Sequence, residues 1–60
     1  MKIGDRVTVE TEDGETEGTV SVVWADGSEH PALDILVGEE LLHSVQHDDR
    51  GDQLPAWREA

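Results

Sequence analysis

The chain has 60 residues, and its 15 aspartates and glutamates against four lysines and arginines give a formal net charge of -11 at pH 7. This balance argues against direct binding to DNA or RNA, because phosphate affinity comes from clustered cations, and the absence of cysteine excludes disulfides and thiolate metal sites. No apolar run approaches the roughly 18 residues of a membrane span, and no leader-like stretch opens the chain, so we predict a cytoplasmic protein without membrane contact.

The first half of the chain alternates between apolar and polar residues with the period of two that is typical of half-buried strands. One run covers residues 3–9 and a second covers residues 16–24. The residues predicted to face inward are Ile3, Val7 and Val9 in the first run, and Thr16, Val20, Val22 and Trp24 in the second. Asp13-Gly14 lies between the runs, and such a dipeptide predicts a hairpin turn because glycine tolerates the positive φ that these turns need.

A third strand is predicted over residues 33–37. A second Asp-Gly dipeptide, Asp26-Gly27, should turn the chain into it. Pro31 falls at its entry, where a missing N–H does least harm to a sheet. The inward face is predicted to carry Leu33, Ile35 and Val37.

Residues 38–47 fit two structures. As a helix, Leu41, Leu42 and Val45 share one face, with acidic residues near the N-terminus and histidines near the C-terminus, as the helix dipole favours. As a strand, Leu41, His43 and Val45 share a face. We favour the strand, because ten residues make a marginal helix and the preceding strands leave a sheet edge to be covered.

From Asp48 the composition changes to a polar, acidic loop followed by Leu54, Pro55, Ala56 and Trp57. Two interpretations of this segment remain open. Leu54 and Trp57 either fold back over an open edge or end of the sheet, or dock on a second copy or another partner. We therefore divide the chain into a small β-barrel domain at residues 1–47 and a loop and tail at residues 48–60.

Four short strands with alternating faces predict an all-β fold, either a small antiparallel barrel or a strongly curled meander of four to five strands. The opening Ile3-Gly4-Asp5-Arg6-Val7-Thr8-Val9 and the later Glu17-Gly18-Thr19-Val20-Ser21-Val22-Val23-Trp24 resemble the strands of SH3-like small barrels, the group that contains KOW and Tudor-type modules. The resemblance covers roughly the first half of the chain and implies architecture rather than activity.

The binding modes that this resemblance implies do not fit the composition. Tudor-type cages and proline-binding grooves need several aromatic side chains, and this chain has two Trp with no Tyr or Phe. KOW-like contacts with RNA need basic loops, whereas the predicted turns here are acidic, as in Glu12-Asp13-Gly14-Glu15.

The charge itself has two interpretations. An acidic, lysine-poor surface is typical of proteins from a salt-rich cytoplasm, where molar salt shortens the Debye length from about 10 Å to about 3 Å and screens the repulsion between carboxylates. Alternatively, the carboxylates mimic a nucleic-acid backbone and bind a basic DNA- or RNA-binding protein. We favour salt adaptation.

Metal-ligand residue types cluster at His43, His47 and Asp48. On a helix, histidines four residues apart share a face and can bind zinc together with a carboxylate. On a strand, the two rings lie roughly 13 Å apart, which is too far for one ion. Because we favour the strand, we predict neither a metal site nor a cofactor, and we interpret His30 as a polar loop histidine.

No arrangement of Ser, Lys and His predicts an activated nucleophile, and we expect so small a barrel to lack a pocket of the roughly 300–1,000 Å³ typical of small-molecule sites. We therefore predict that the protein is not an enzyme. The leading hypothesis is a salt-adapted protein-interaction or assembly module that forms a homo-oligomer or binds a protein partner. The candidate partner-binding residues are Trp57, Leu54 and Trp24.

Overall fold

A computed structural model describes residues 1–24, 27, 29–51 and 53–60, and it shows a closed five-stranded β-barrel. The elements are β1 (Arg6–Thr11), β2 (Gly14–Val23), β3 (Leu33–Val37), β4 (Glu40–His47), a 3-10 helix (Asp48–Arg50) and β5 (Ala56–Glu59). The all-β prediction is confirmed, and the barrel is consistent at a coarse level with an SH3-like fold. Residues 40–47 form a strand, as favoured from the sequence. No helix in these described ranges is long and apolar enough to cross a membrane.

The barrel closes through β5, which pairs with both β1 and β4. Consecutive strands from β1 to β4 are antiparallel, as is the β1–β5 pair, whereas β4 and β5 are parallel. The strand orientation is therefore mixed rather than wholly antiparallel, because the chain crosses over through the 3-10 helix before it re-enters the sheet. The barrel thus extends beyond residues 1–47 and includes residues 56–59.

The β1–β2 hairpin turns at Glu12 and Asp13, one residue earlier than the predicted Asp13-Gly14 pair. Thr11 and Gly14 are the last paired residues, and Gly14 takes the positive φ, 118°, for which the glycine is needed. The Asp13 amide donates to the Thr11 hydroxyl over 3.2 Å, which fixes the turn. Asp26 of the second predicted turn lies outside the described residues.

The core fills the barrel interior with one side chain or two from every strand. Its fully or almost fully buried members are Val7, Val9, Val20, Leu33, Ile35, Val45 and Trp57. Gly18 faces the same interior, where an added methyl would collide with Ile35. Alternation therefore identified most of the core, but the inward prediction is wrong for Ile3, Thr16 and Trp24. Ile3 is 69% exposed because β1 begins only at Arg6, and Thr16 and Trp24 are exposed, one near the start of β2 and the other just after its end.

Two irregularities change which residues face inward. The β2–β3 register shifts between Val20 and Val22, and the β3–β4 register shifts between Leu33 and Ile35. In β4 the extra residue is accommodated at Ser44, which has a φ of 54°. As a result Leu42, rather than the predicted Leu41 and His43, packs against the core beside Val45.

Candidate functional site

An open groove of about 500 Å³ runs between the β1–β2 turn, the start of β4 and the loop before β5. Its apolar residues are Val37, Leu42, Leu54 and Pro55, and its polar residues are Thr11, Glu12, Asp13, Thr16 and Glu40. We call this the Leu54 groove. It lies between surface elements and is an open groove rather than a cavity inside the barrel.

The Leu54 groove exists because β4 and β5 pair only over a short stretch. Their paired residues are Gln46 with Ala56 and His47 with Trp57. The first half of β4, from Glu40 to Leu42, pairs with β3 on one side, and no strand of the described residues pairs with its other side. This leaves backbone groups of β4 beside an apolar floor, an arrangement suited to an added strand.

Leu54 is central to this region. It is 45% exposed, and it lines both the Leu54 groove and a neighbouring hollow of about 440 Å³. That second hollow is also bordered by acidic residues, Glu10, Glu12 and Asp48. Neither hollow is lined by a lysine or an arginine among the described residues, so both present negative charge around an apolar centre.

A buried carboxylate organises the opposite side of the barrel. Asp34 is 4% exposed and accepts hydrogen bonds from the Trp24 indole N–H at 2.8 Å and from the Ser44 amide at 2.9 Å, with His43 Nδ1 at 3.2 Å. These hydrogen bonds, the one from Trp24 first, hold the pKa of Asp34 below its ordinary value. Asp34 thereby ties Trp24, the residue that follows β2, to the bulged residue of β4.

Trp24 lies on the outer surface with about half of its area exposed. Leu36 and Leu41 are cross-strand partners on the outer surface of β3 and β4, and each is a little over 40% exposed. Of the three predicted partner-binding residues, Trp24 and Leu54 are therefore accessible. Trp57 is fully buried in the core, and its indole N–H donates to the Pro31 carbonyl at 3.0 Å, so it offers a partner no exposed surface.

Two histidines stack at one end of the barrel. The centroids of the His30 and His47 rings are 3.7 Å apart, and the ring planes are 7° from parallel. Both rings lie nearly perpendicular to the Trp57 indole, in edge-to-face contact. Both rings also contact two carboxylates. His47 Nε2 lies 2.9 Å and His30 Nε2 3.3 Å from Glu59, while His30 Nδ1 lies 2.6 Å and His47 Nδ1 3.1 Å from Asp49.

The ionisation of this cluster is coupled. Desolvation of the His47 ring opposes its protonation, but the hydrogen bonds to Glu59 and Asp49 outweigh it and raise the pKa of His47. Correspondingly, the hydrogen bond from His30 lowers the pKa of Asp49, and the one from His47 lowers the pKa of Glu59. The cluster therefore favours positive charge between two carboxylates.

The predicted metal-ligand candidates are only partly brought together. His43 sits beside Asp34 with an exposed ring, whereas His47 is buried against His30, because a strand cannot bring residues four apart to one point. Asp48 does approach His47, with Oδ1 3.2 Å from Nδ1. His30 and Glu59 were not among the predicted candidates.

Strand alternation could have predicted the positions of His47 and Glu59 in this cluster. His47 follows Val45 by two residues, and Glu59 follows Trp57 by two, so each lies on the same side of its strand as a core residue. Pairing of His47 with Trp57 then brings His47 and Glu59 to the same end of the barrel. No sequence signal placed His30 there, because it lies in an irregular segment.

Comparison with known proteins adds no relative to this description: no family model, curated protein or solved structure matches the chain. The class of protein is defined by its architecture, a small closed β-barrel with an acidic, apolar-floored groove and a histidine–carboxylate cluster.

Proposed function

We propose that this protein is a salt-adapted, non-catalytic protein-interaction module, and that the Leu54 groove binds an extended segment of a partner carrying apolar and basic side chains. The observation that carries the proposal is the groove itself, about 500 Å³ in volume, with apolar Leu54, Pro55 and Leu42 surrounded by carboxylates.

The partner's shape follows from β4. An extended segment can add a strand to the unpaired side of Glu40–Leu42, with main-chain hydrogen bonds supplying affinity and alternate side chains entering the groove. Because strand side chains alternate, one set points to the apolar floor while the other points away. Apolar residues spaced by two are therefore the expected signature.

The charge expected of the partner follows from the acidic residues that line the Leu54 groove. Glu12, Asp13 and Glu40 line the Leu54 groove, and among the residues that the structure describes no cation lines it to balance them. Lysine or arginine on the incoming segment would pair with these carboxylates, whereas the carboxylates would repel an acidic segment. At molar salt, where the Debye length is about 3 Å, apolar burial supplies most of the affinity, and only ion pairs in direct contact add to the selectivity.

The binding test uses a short synthetic peptide in which lysine alternates with valine, and a matched peptide with glutamate in place of lysine. We expect the lysine peptide to bind the isotope-labelled protein and to shift amide signals of β4, of the β1–β2 turn and of Leu54. Leu54→Ser should weaken this binding roughly tenfold or more, because a central apolar anchor is lost.

Leu36→Ser is the matched control, since Leu36 is 44% exposed, close to the 45% of Leu54, but lies on the outer surface of β3. Its affinity for the peptide should stay unchanged. Equal weakening by both variants, or signal changes confined to Trp24, Leu36 and Leu41, would contradict the groove as the binding site. Dimerisation that Leu54→Ser abolishes would instead identify a second copy as the occupant.

Salt adaptation has a separate test. Among the described acidic residues only Asp34 is buried, so the carboxylate charge lies at the surface, where salt screens it. We expect the free energy of unfolding in urea to rise steeply as KCl increases from about 0.1 M to about 2 M, the range in which the Debye length falls from about 10 Å to below 3 Å. An equal osmolality of sucrose is the control, and a flat dependence on KCl would refute salt adaptation.

A further inference from the structure

We propose that His30, His47 and Glu59 form a binding site for a divalent transition-metal ion, with zinc as the expected ion. The site is independent of the Leu54 groove. Within the described part of the chain these side chains each offer a ligand atom, and the atoms lie within 4.8 Å of one another. Two imidazoles and one carboxylate are a donor set that suits zinc, with water completing the coordination.

The ligand atoms lie near the separations found around a bound ion. A tetrahedral zinc ion with bonds of about 2.0–2.1 Å separates its ligand atoms by roughly 3.4 Å. In the barrel, Glu59 Oε1 lies 2.9 Å from His47 Nε2 and Glu59 Oε2 lies 3.3 Å from His30 Nε2. A displacement of the exposed Glu59 side chain, together with a tilt of the His30 ring, would admit an ion between them.

Asp49 supplies the support that metal-binding histidines usually have. Its carboxylate lies 2.6 Å from His30 Nδ1 and 3.1 Å from His47 Nδ1, on the opposite side of each ring from Glu59. A carboxylate in this position fixes the ring orientation and leaves Nε2 as the ligand atom. With the His30 Nδ1–H donated to Asp49, Nε2 of the neutral ring is an acceptor facing another acceptor, Glu59, and a cation relieves that conflict.

The His47 tautomer must change when the ion binds. The Asp49 amide donates to His47 Nδ1 at 3.1 Å, so in the metal-free neutral ring the proton is on Nε2, which donates to Glu59. Metal binding at Nε2 requires this proton to move to Nδ1, which breaks the hydrogen bond from the Asp49 amide and lets Nδ1–H donate to the carboxylate oxygens of Asp48 and Asp49 at 3.2 Å and 3.1 Å. Asp48 and Asp49 are therefore positioned to stabilise the metal-binding tautomer.

The stacked rings must also separate. Parallel imidazoles direct their lone pairs along parallel lines, whereas ligands of one ion must converge on it. His47 is held by the barrel and by Trp57, while His30 lies in the irregular segment before Pro31. His30 is consequently the ring expected to tilt, and the contacts of Trp57 with the pair make its fluorescence a reporter of that movement.

The test is calorimetric titration of the metal-stripped protein with ZnCl₂ at about pH 8, above the ordinary pKa of imidazole, in a background of KCl that suppresses loose binding to surface carboxylates. We expect one saturable site per chain and a zinc-dependent change of Trp57 fluorescence in a Trp24→Phe background. His30→Gln and Glu59→Gln should each weaken binding at least about tenfold, and Asp49→Asn about tenfold.

His43→Gln is the matched control, because His43 also contacts a carboxylate, Asp34, but lies outside the cluster; its zinc affinity should equal that of the parent. Circular dichroism should show that all variants remain folded. Zinc binding that none of the cluster variants weakens, or that only follows the total carboxylate concentration, would overturn the site, as would the absence of saturable binding to the folded parent.

Discussion

Replacing Trp57 by alanine is expected to unfold the barrel at room temperature in low salt. The side chain is fully buried at the centre of the core and donates to the Pro31 carbonyl. Truncating a buried tryptophan costs about 3–5 kcal/mol, and a single core of this size rarely supplies more than about 3–5 kcal/mol in total. Far-ultraviolet circular dichroism and urea titration measure the loss directly.

Trp57→Phe is the matched variant. It keeps an aromatic ring in the core and removes the hydrogen bond to Pro31, so we expect a folded protein destabilised by about 1–3 kcal/mol. An alanine variant as stable as the parent would show that β5 does not contribute to the core, contrary to the fold described here.

Replacing Asp34 by alanine is expected to lower the thermal midpoint by roughly 10 °C, which is large for a domain of this size. The change leaves the Trp24 indole N–H and the Ser44 amide without their acceptor. It also removes the tie between Trp24, the residue that follows β2, and the bulge of β4. The thermal midpoint and the near-ultraviolet signal of Trp24 provide the measurement, since the released indole should lose its fixed orientation.

The Asp34→Asn variant removes the charge of the side chain but keeps its size and shape. Its carbonyl oxygen can still accept from Trp24 and Ser44, so we expect this variant to be more stable than Asp34→Ala. Because the folded pKa of Asp34 is lowered, the parent's advantage over Asp34→Asn should be complete above the ordinary value of 3.8 and lost as the pH falls through the folded value. An advantage that persists in strong acid would contradict the lowered pKa.

Strand alternation was sufficient to predict most of the barrel. Val7 and Val9 alternate with polar residues, Leu33 and Ile35 are spaced by two in β3, and all four are buried. The glycine that ends the first predicted turn has the positive φ expected of it. These features are local, since they depend on residue spacing within one strand or turn, and a single sequence contains that information.

The register shifts were not predictable in the same way. The bulge at Ser44 turns His43 to the outside and Leu42 toward the core, and it depends on Asp34, which accepts from the Ser44 amide across the strand pair. Nothing in the residues around Ser44 signals that partner. A buried aspartate in an otherwise apolar strand was the nearest available signal.

The sites were predicted only in part. Leu54 lines the groove that we propose as the partner site, whereas Trp57 belongs to the core, because the sequence could not show that residues 56–59 add a fifth strand. The histidine cluster combines His30, His47 and Glu59 from three distant segments. Only the closed topology brings them together.

Closure by β5 also determines when the barrel can fold. Val9 is a direct partner of Trp57, so strands from nearly opposite ends of the described chain must meet before the core is complete. Contacts so distant in sequence slow folding relative to local hairpins. We therefore expect that, during synthesis, β1 to β4 cannot complete the core until Trp57 is available, and that the edges of β1 and β4 stay unpaired until then. The rate of barrel closure, rather than the rate of hairpin formation, should set the time during which the nascent chain is prone to aggregate.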